Sequence, residues 1–365
     1  MGSPLTLGIV GVGKISEQYF ASLPSLPGLK LVAVADLDTA RAAVVAAEQG
    51  VESMSVDALL ADDRIDAILN LTIPAAHVEI DTRALLAGKH VYAEKPLALA
   101  PADAVAMLEL AAERGLRVGS APDTVLGTGI QTARAVLDDG EIGTPIGATA
   151  VWTAPGHERW HPAPQFYYQP GAGPLYDMGP YYVTTLVTLL GPVVRVSAAV
   201  SRSARERTVA TGPQAGAAIP VDVDTLISDV LDHASGISSS VTMSFEVWAT
   251  RMSGLEVYGT AGTIAVPDPN RFSDPVEVWT PDADEWRTVQ PRAGYADAGR
   301  GYGLADMARA IETDRPHRAS GELAFHVLEI MHSILRAGEE HSVITLTSTA
   351  SRPEPVPGGA SPESW

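Results

Sequence analysis

The chain has 365 residues, 46% of them hydrophobic and 19% charged, with 44 acidic residues against 25 basic ones and no cysteine. That length allows two domains of ordinary size, and the apolar share excludes disorder over most of it. A formal charge of -19 repels nucleic-acid backbones and anionic membrane surfaces, and the absence of thiols excludes disulfides, thiolate nucleophiles and zinc–thiolate centres.

From the start to about residue 120, short β-branched runs alternate with Ala-, Leu- and Glu-rich stretches of helical period. "LTLGIV", "LKLVAVAD", "DAILNLT", "KHVYAEK" and "LRVGS" read as strands, which predicts an α/β domain with a doubly wound parallel sheet over residues 1–122. The first strand enters "GVGKIS". There Gly11 serves the tight turn, Gly13 lets backbone approach a pyrophosphate, and Lys14 and Ile15 lead into the helix. Ser16 stands where the third glycine of such a turn usually packs helix on strand. The second strand ends at Asp36, the place of an acid that takes ribose hydroxyls; the alternative is a cap on the helix beginning near Asp38. An acid there repels a 2′-phosphate and so favours NAD over NADP. Arg41 reads either as a phosphate contact or as half of a surface ion pair.

Two more strand ends carry polar groups. "NLTIPAAH" sets Thr72, Pro74 and His77 along the nicotinamide side, and "VYAEKPLA" sets Glu94 and Lys95 before Pro96, which fixes the turn. Lys95 either points at the crevice beyond the strand ends or is a solvated rim charge.

After a helical stretch near 127–137 and the turn cluster "DDGEIGTP", the rhythm changes to longer strands. "IGATAVW", "VVRVSAAVSRS", "VDTLISDVLDH", "GISSSVTMSFEVW" and "MSGLEVYGTAGTIAV" predict an antiparallel sheet carrying a second domain over 123–347. The loop "GHERWHPAPQFYYQPGAG" contains a literal His-Glu-x-x-His, but prolines on both sides deny it a helix, so no metal is expected. His157, Trp160, His161 and Tyr167, with Phe166 and Tyr168, instead make a wall suited to a sugar face, the alternative being ordinary packing. "GPLYDMGPYY" follows, with Asp177 and Tyr181 four apart and so on one helix face.

The longest apolar run, 183–200, is broken by Gly191-Pro192 and Arg195 and cannot span a membrane; with no signal-like start, a cytoplasmic location is expected. Helices are predicted over 301–312 and 321–338. Arg300, Tyr302, His317 and Arg318 near their starts read as caps and surface pairs, the alternative for Arg300 or Arg318 being a substrate contact, and His326 and His332 read as packed. The Pro-, Gly- and Ser-rich stretch 348–365 reads as a mobile tail.

"GIVGVGKIS", "ADLD", "TIPAAH", "AEKPLA" and "GPLYDMGPYY", in this order and spacing, resemble the glucose-fructose oxidoreductase, inositol dehydrogenase and rhizopine catabolism (Gfo/Idh/MocA) family over the chain up to the tail. The resemblance implies an N-terminal Rossmann domain and a C-terminal α+β domain with a large, open, mainly antiparallel sheet whose outer face builds homodimers or homotetramers. It also implies NAD- or NADP-dependent hydride transfer at a secondary alcohol of a sugar, glycoside or polyol, with Lys95 touching both cofactor and substrate. Many members have Asp-x-x-x-His where this chain has Tyr181 in the His place, as the glucose-fructose oxidoreductase and dimeric dihydrodiol dehydrogenase branches do. A free phenol needs about 4 kcal/mol of preferential phenolate stabilisation to work near neutrality, and a lysine has the sign to supply it. Tyr181 is therefore assigned as general acid/base, Lys95 as the activating cation, and Asp177 as the contact for a substrate hydroxyl. The rival assignment makes Lys95 or Asp177 the proton acceptor and Tyr181 only a substrate contact, and the plainer alternative makes Asp177 a helix-start acid and Tyr181 half-buried packing. Two other classes stay open: an NAD-dependent glycosidase acting by transient oxidation, and a non-catalytic sugar- or cofactor-binding regulator.

Overall fold

All five strands expected in the first third of the chain are present, with a sixth, two-residue strand added at Glu52–Ser53, in the computed structural model, which describes residues 3–252 and 254–361. In chain order the elements are β1 (Leu5–Val10), α1 (Ser16–Ser22), β2 (Leu29–Ala35), α2 (Thr39–Gln49), β3 (Glu52–Ser53), α3 (Val56–Leu60), β4 (Ala67–Asn70), α4 (His77–Leu86), β5 (His90–Ala93), α5 (Pro101–Glu113) and β6 (Val118–Ser120). They continue with α6 (Thr128–Asp138), β7 (Pro145–Thr153), α7 (Gly173–Leu190), β8 (Val193–Ser201), β9 (Glu206–Thr208), β10 (Ala218–Pro220), β11 (Leu226–His233), β12 (Ser238–Ser244), β13 (Gly254–Gly259), β14 (Gly262–Val266), β15 (Val276–Trp279), β16 (Arg287–Val289), α8 (Tyr302–Thr313), α9 (Gly321–Glu340) and β17 (Ile344–Thr345).

The first sheet runs β3-β2-β1-β4-β5-β6, and every pair in it is parallel. Strand β4 is buried at all four positions and β1 at its last four, as strands covered on both faces must be. The strand order reverses between β1 and β4, and in such sheets the crevice at the carboxyl ends of the strands beside that switch takes the ligand.

The chain divides into two compact units at places that differ from the expected boundaries. The first takes residues up to 131, 292–328 and those from 353 on, and the second takes 132–291 and 329–352. The stretch expected to be a mobile tail is instead held in place, 348–352 in the second unit and the described residues from 353 on in the first. Arg318 donates to the carbonyls of Glu354 at 2.8 Å and Pro355 at 3.1 Å, and Val356, fully buried, donates its N–H to Gln131 Oε1 at 2.8 Å. Pro and Gly keep such a segment out of helices and sheets, but its carbonyls remain good acceptors for a buried guanidinium. Residues 362–365 of the expected tail lie outside the described ones.

In the second unit a nine-stranded sheet runs β16-β15-β14-β13-β7-β12-β11-β8-β17. It is antiparallel except for β7 and β12, which pair in parallel from Gly147 with Ser238 to Thr153 with Ser244. Helix α7 packs on β7, β11 and β12. On β11, Ile227, Leu231 and His233 are buried, while Ser228 and Val230 between them are exposed, the period-2 signature of a sheet with one covered face. No helix among the described residues is long and apolar enough to cross a membrane.

Candidate active site

In the first unit the glycine turn is closed by the residue that ends β2. Asp36 Oδ2 accepts the Val12 N–H at 2.8 Å, while Oδ1 accepts from the Asp38 N–H and from Arg41 Nη2, each at 2.8 Å. Burial acts to raise this carboxyl, but the Val12 amide, the Arg41 guanidinium and the Asp38 amide outweigh it and hold it below the usual carboxylate range. Asp38, not Asp36, caps α2, accepting the Arg41 N–H at 3.0 Å. Gly11 has φ +95, and a Cβ there would lie 2.7 Å from the Leu71 carbonyl and 2.8 Å from the Thr72 nitrogen, so only glycine fits. A Cβ at Gly13 would meet nothing within 4 Å, which leaves the backbone open to an approaching group. Ser16 is buried with its hydroxyl donating to the Gly13 carbonyl at 2.7 Å, so a small polar residue does the packing of the third glycine. Val12, Gly13, Lys14, Ser16 and Arg41 border a cleft of about 650 Å³ that continues between α1 and α2 past Phe20 and Val44. The chemistry of the turn itself fits a dinucleotide, with bare backbone for phosphates and an ionised acid at Asp36 for ribose hydroxyls.

The ends of β4 and β5 are braced from within. Asn70 Oδ1 accepts from the Thr72 N–H at 3.1 Å and its hydroxyl at 2.6 Å, and Asn70 Nδ2 donates to Asp81 at 2.7 Å. His77 is fully buried, with Nδ1 2.8 Å from the Pro96 carbonyl and Nε2 3.1 Å from that of Thr72, and Pro74 opens the short turn between. It therefore struts together the two loops that carry Thr72 and Lys95. Burial pushes its imidazole below the ordinary range, against the two carbonyl contacts. Glu94 is buried, taking the Tyr19 hydroxyl on Oε1 at 2.8 Å and the Lys95 N–H on Oε2 at 3.1 Å. Lys95 itself is half-buried and joined to Pro96 by a cis peptide.

In the second unit α7 begins at Gly173, and all its residues except Asp177 are buried, Tyr181 among them. A helix that is apolar all round belongs in an interior, and its single half-buried acid marks where it comes within reach of solvent. His157, on the loop after β7, places Nε2 2.9 Å from Asp177 Oδ2, and Trp160 Nε1 donates to His157 Nδ1 at 3.1 Å. The ring of His157 lies 4.3 Å from Tyr167, 4.5 Å from Phe245 and 5.1 Å from Trp160, centroid to centroid. His161 joins the same group, 5.5 Å from Tyr167. The aromatic wall expected from the loop is thus assembled, with Trp160 and Phe166 exposed.

The two halves of the His-Glu-x-x-His string part company. His157 goes to Asp177, whereas Glu158 is buried against Arg207 at 3.0 Å and accepts the Tyr168 hydroxyl. Gly156 makes this possible with φ +108, since a Cβ there would strike the Glu158 carboxylate and the Arg207 guanidinium. Among the described residues no group of three His, Cys, Asp or Glu side chains is placed to hold a metal.

Phe245 and Trp152 are wall residues not singled out in the sequence, although Phe245 continues the buried alternation of Val241 and Met243. Tyr19, three residues beyond Ser16 on the buried side of α1, is a first-unit residue that the sequence did not single out either. Arg300 and Arg318 read as caps or surface pairs, yet both are buried: Arg318 pairs with Asp306, and Arg300 lies 3.7 Å from Asp123. His317 is also interior, bonded to the Val118 carbonyl at 3.0 Å.

A model of an oxidoreductase family with an NAD-binding Rossmann fold matches residues 5–121, and a model of the GFO/IDH/MocA C-terminal domain matches 130–265. The chain is 31% identical over 314 residues to a dTDP-3,4-didehydro-2,6-dideoxy-alpha-D-glucose 3-reductase of Streptomyces antibioticus, covering 84% of this chain and 90% of that one. It is 29% identical over 276 residues to inositol 2-dehydrogenase 3 of Saccharopolyspora erythraea, covering 74% and 75%. Among solved structures, the apo form of a levoglucosan dehydrogenase superposes with TM-score 0.82 at 22% identity, covering 96% of this chain and 100% of the other. A second structure of that enzyme, with NADH and L-sorbose, gives TM-score 0.79, also at 22% identity, covering 95% and 100%. At such identity the likeness speaks for the fold.

Proposed function

The chain belongs to the GFO/IDH/MocA oxidoreductase family, and on that premise we propose that it moves a hydride between NAD and a secondary alcohol or ketone carbon of a sugar, glycoside or polyol. The observation that carries the reading is the Gly11–Gly13 turn fixed by the Asp36 carboxylate, which leaves backbone bare for phosphates and an acid for the ribose. Gly11, Gly13, Lys14 and Ile15 hold the pyrophosphate, Asp36 the ribose, and Thr72 and Pro74 border the nicotinamide, with His77 and Glu94 bracing their loops. When bound, NAD supplies the hydride acceptor. Tyr181 takes or returns the hydroxyl proton, Asp177 binds a neighbouring hydroxyl, and Lys95 supplies positive charge to the substrate oxygen. Trp160, His161 and Tyr167 offer ring faces and polar edges to a sugar.

NAD is favoured over NADP because Asp36 is held ionised and Arg41 is already its partner. A homodimer or homotetramer is proposed through the exposed face of the nine-stranded sheet, where Ser228, Val230, Ser238 and Ser240 point outward. The test is the appearance of reduced nicotinamide when the protein meets NAD, and separately NADP, with inositols, aldoses, anhydrosugars and glycosides. Turnover with one group identifies the substrate class. Release of a sugar with no reduced cofactor accumulating would replace this reading with cleavage by transient oxidation.

A further inference from the structure

We propose that Trp160, His157 and Asp177 form a directed hydrogen-bond chain in which His157 is a positioning residue for the Asp177 carboxylate and Trp160 selects its tautomer. The proposal rests on the role given to Asp177 above. An indole N–H can only donate, so His157 Nδ1, 3.1 Å from Trp160 Nε1, must present its lone pair. The one proton of the neutral ring then sits on Nε2, 2.9 Å from Asp177 Oδ2, and is donated to that oxygen. A protonated ring would set two N–H groups against each other at Nδ1. Turning the ring over would put carbons where both nitrogens stand and lose both bonds.

The imidazole has little room to do either. It is buried, with Tyr167, Phe245 and Trp160 against it at ring-centroid distances of 4.3, 4.5 and 5.1 Å. The backbone that carries it is pinned as well, since the His157 amide N–H donates to the Tyr168 hydroxyl at 3.1 Å. Asp177 is the half-buried residue of an otherwise buried helix, so its backbone is rigid, and the His157 N–H fixes the direction of its Oδ2. That orientation is set before substrate arrives, the service an outer partner gives to a binding group.

Trp160 adds a link to the ligand. Its side chain is 59% exposed while its N–H is spent inward, so a ring face remains available to a sugar without breaking the chain. A ligand that stacks on Trp160 in its present pose keeps Asp177 aligned, and one that displaces the indole releases it. Discrimination among sugars thereby reaches the substrate-binding carboxylate through three side chains.

The decisive measurement is the nitrogen NMR spectrum of the full-length protein labelled with nitrogen-15 histidine, without substrate. For His157 the expected result is an acceptor-type Nδ1 and a protonated Nε2, and Trp160→Phe, which keeps a ring but not the N–H, should give mixed tautomers. A protonated Nδ1 in the unmodified protein overturns the proposal. In turnover, His157→Gln, which retains a donor, should lose little in kcat, whereas His157→Phe and Trp160→Phe should lose about 10–100-fold with the KM for NAD unchanged. Equal losses in His157→Gln and His157→Phe, or full activity in Trp160→Phe, also overturn it. Failure of the role of Asp177 reads differently: Asp177→Asn would turn over normally while the wild-type tautomer stayed as stated.

Discussion

The phenol of Tyr19 donates to Glu94 Oε1 over 2.8 Å inside the first unit, tying helix α1 to the strand end that carries Lys95. Neither side chain reaches water to any useful extent. Burial, and then the neighbouring acids Glu94 and Asp123, push the phenol well above its usual range, so it is a permanent donor. Tyr19→Phe keeps the ring and strands a buried carboxylate. It is expected to cost about 1–3 kcal/mol, read as a lower midpoint in thermal unfolding, and to reduce kcat through a looser Lys95.

Tyr181→Phe removes the proposed acid/base while leaving the buried ring in α7. The expected loss in kcat is about 10²–10⁴-fold, with NAD binding measured by calorimetry unchanged. Near-normal turnover would pass the proton to Lys95 or Asp177.

Asp36→Asn keeps an oxygen for the Val12 N–H but removes the charge and releases Arg41 from its ion pair. The ratio of kcat/KM for NADP to that for NAD is expected to rise about 10–100-fold, the scale of one or two charge-assisted hydrogen bonds gained and a repulsion lost. An unchanged ratio would remove Asp36 from cofactor selection.

Asp229 lies on β11 between Ala198 and Val241, buried, and neither carboxyl oxygen has a hydrogen-bond partner among the described residues. Desolvation pushes it well above the carboxylate range. The unfolded chain releases this proton above about pH 4 while the folded one keeps it, so its contribution makes stability fall as pH rises past that point. Asp229→Val, suited to a strand, is expected to stabilise the fold at neutral pH by about 1–3 kcal/mol and to flatten that slope in unfolding midpoints taken across pH. A less stable variant would show that the carboxyl has a use.

Much of the first unit was legible because the last residues of β1, β2, β4 and β5 are buried and read as apolar runs leading into Gly11, Asp36 and Lys95, whereas the exposed two-residue β3 gave no such run. The hairpin β13–β14 was legible from its glycine turn. The parallel pairing of β7 with β12 was not, since partners far apart in sequence leave no local period. Nor was the contact of His157 with Asp177: the loop between them has no repeat, and an aromatic string rich in proline shows composition without direction. Arg318 looked like a surface charge for a related reason, because two of its partners are carbonyls of a segment whose Pro and Gly content signals only the absence of regular structure.

That segment has a consequence for how the chain is made. The six-stranded sheet leaves the ribosome first, yet Val356 and the carbonyls that receive Arg318 belong to the same unit and emerge only after the whole nine-stranded sheet has been synthesised. The Rossmann half is therefore begun early and finished late. Through most of translation Gln131 must wait for the backbone N–H that completes it, so the second unit folds as an insertion within an unfinished first.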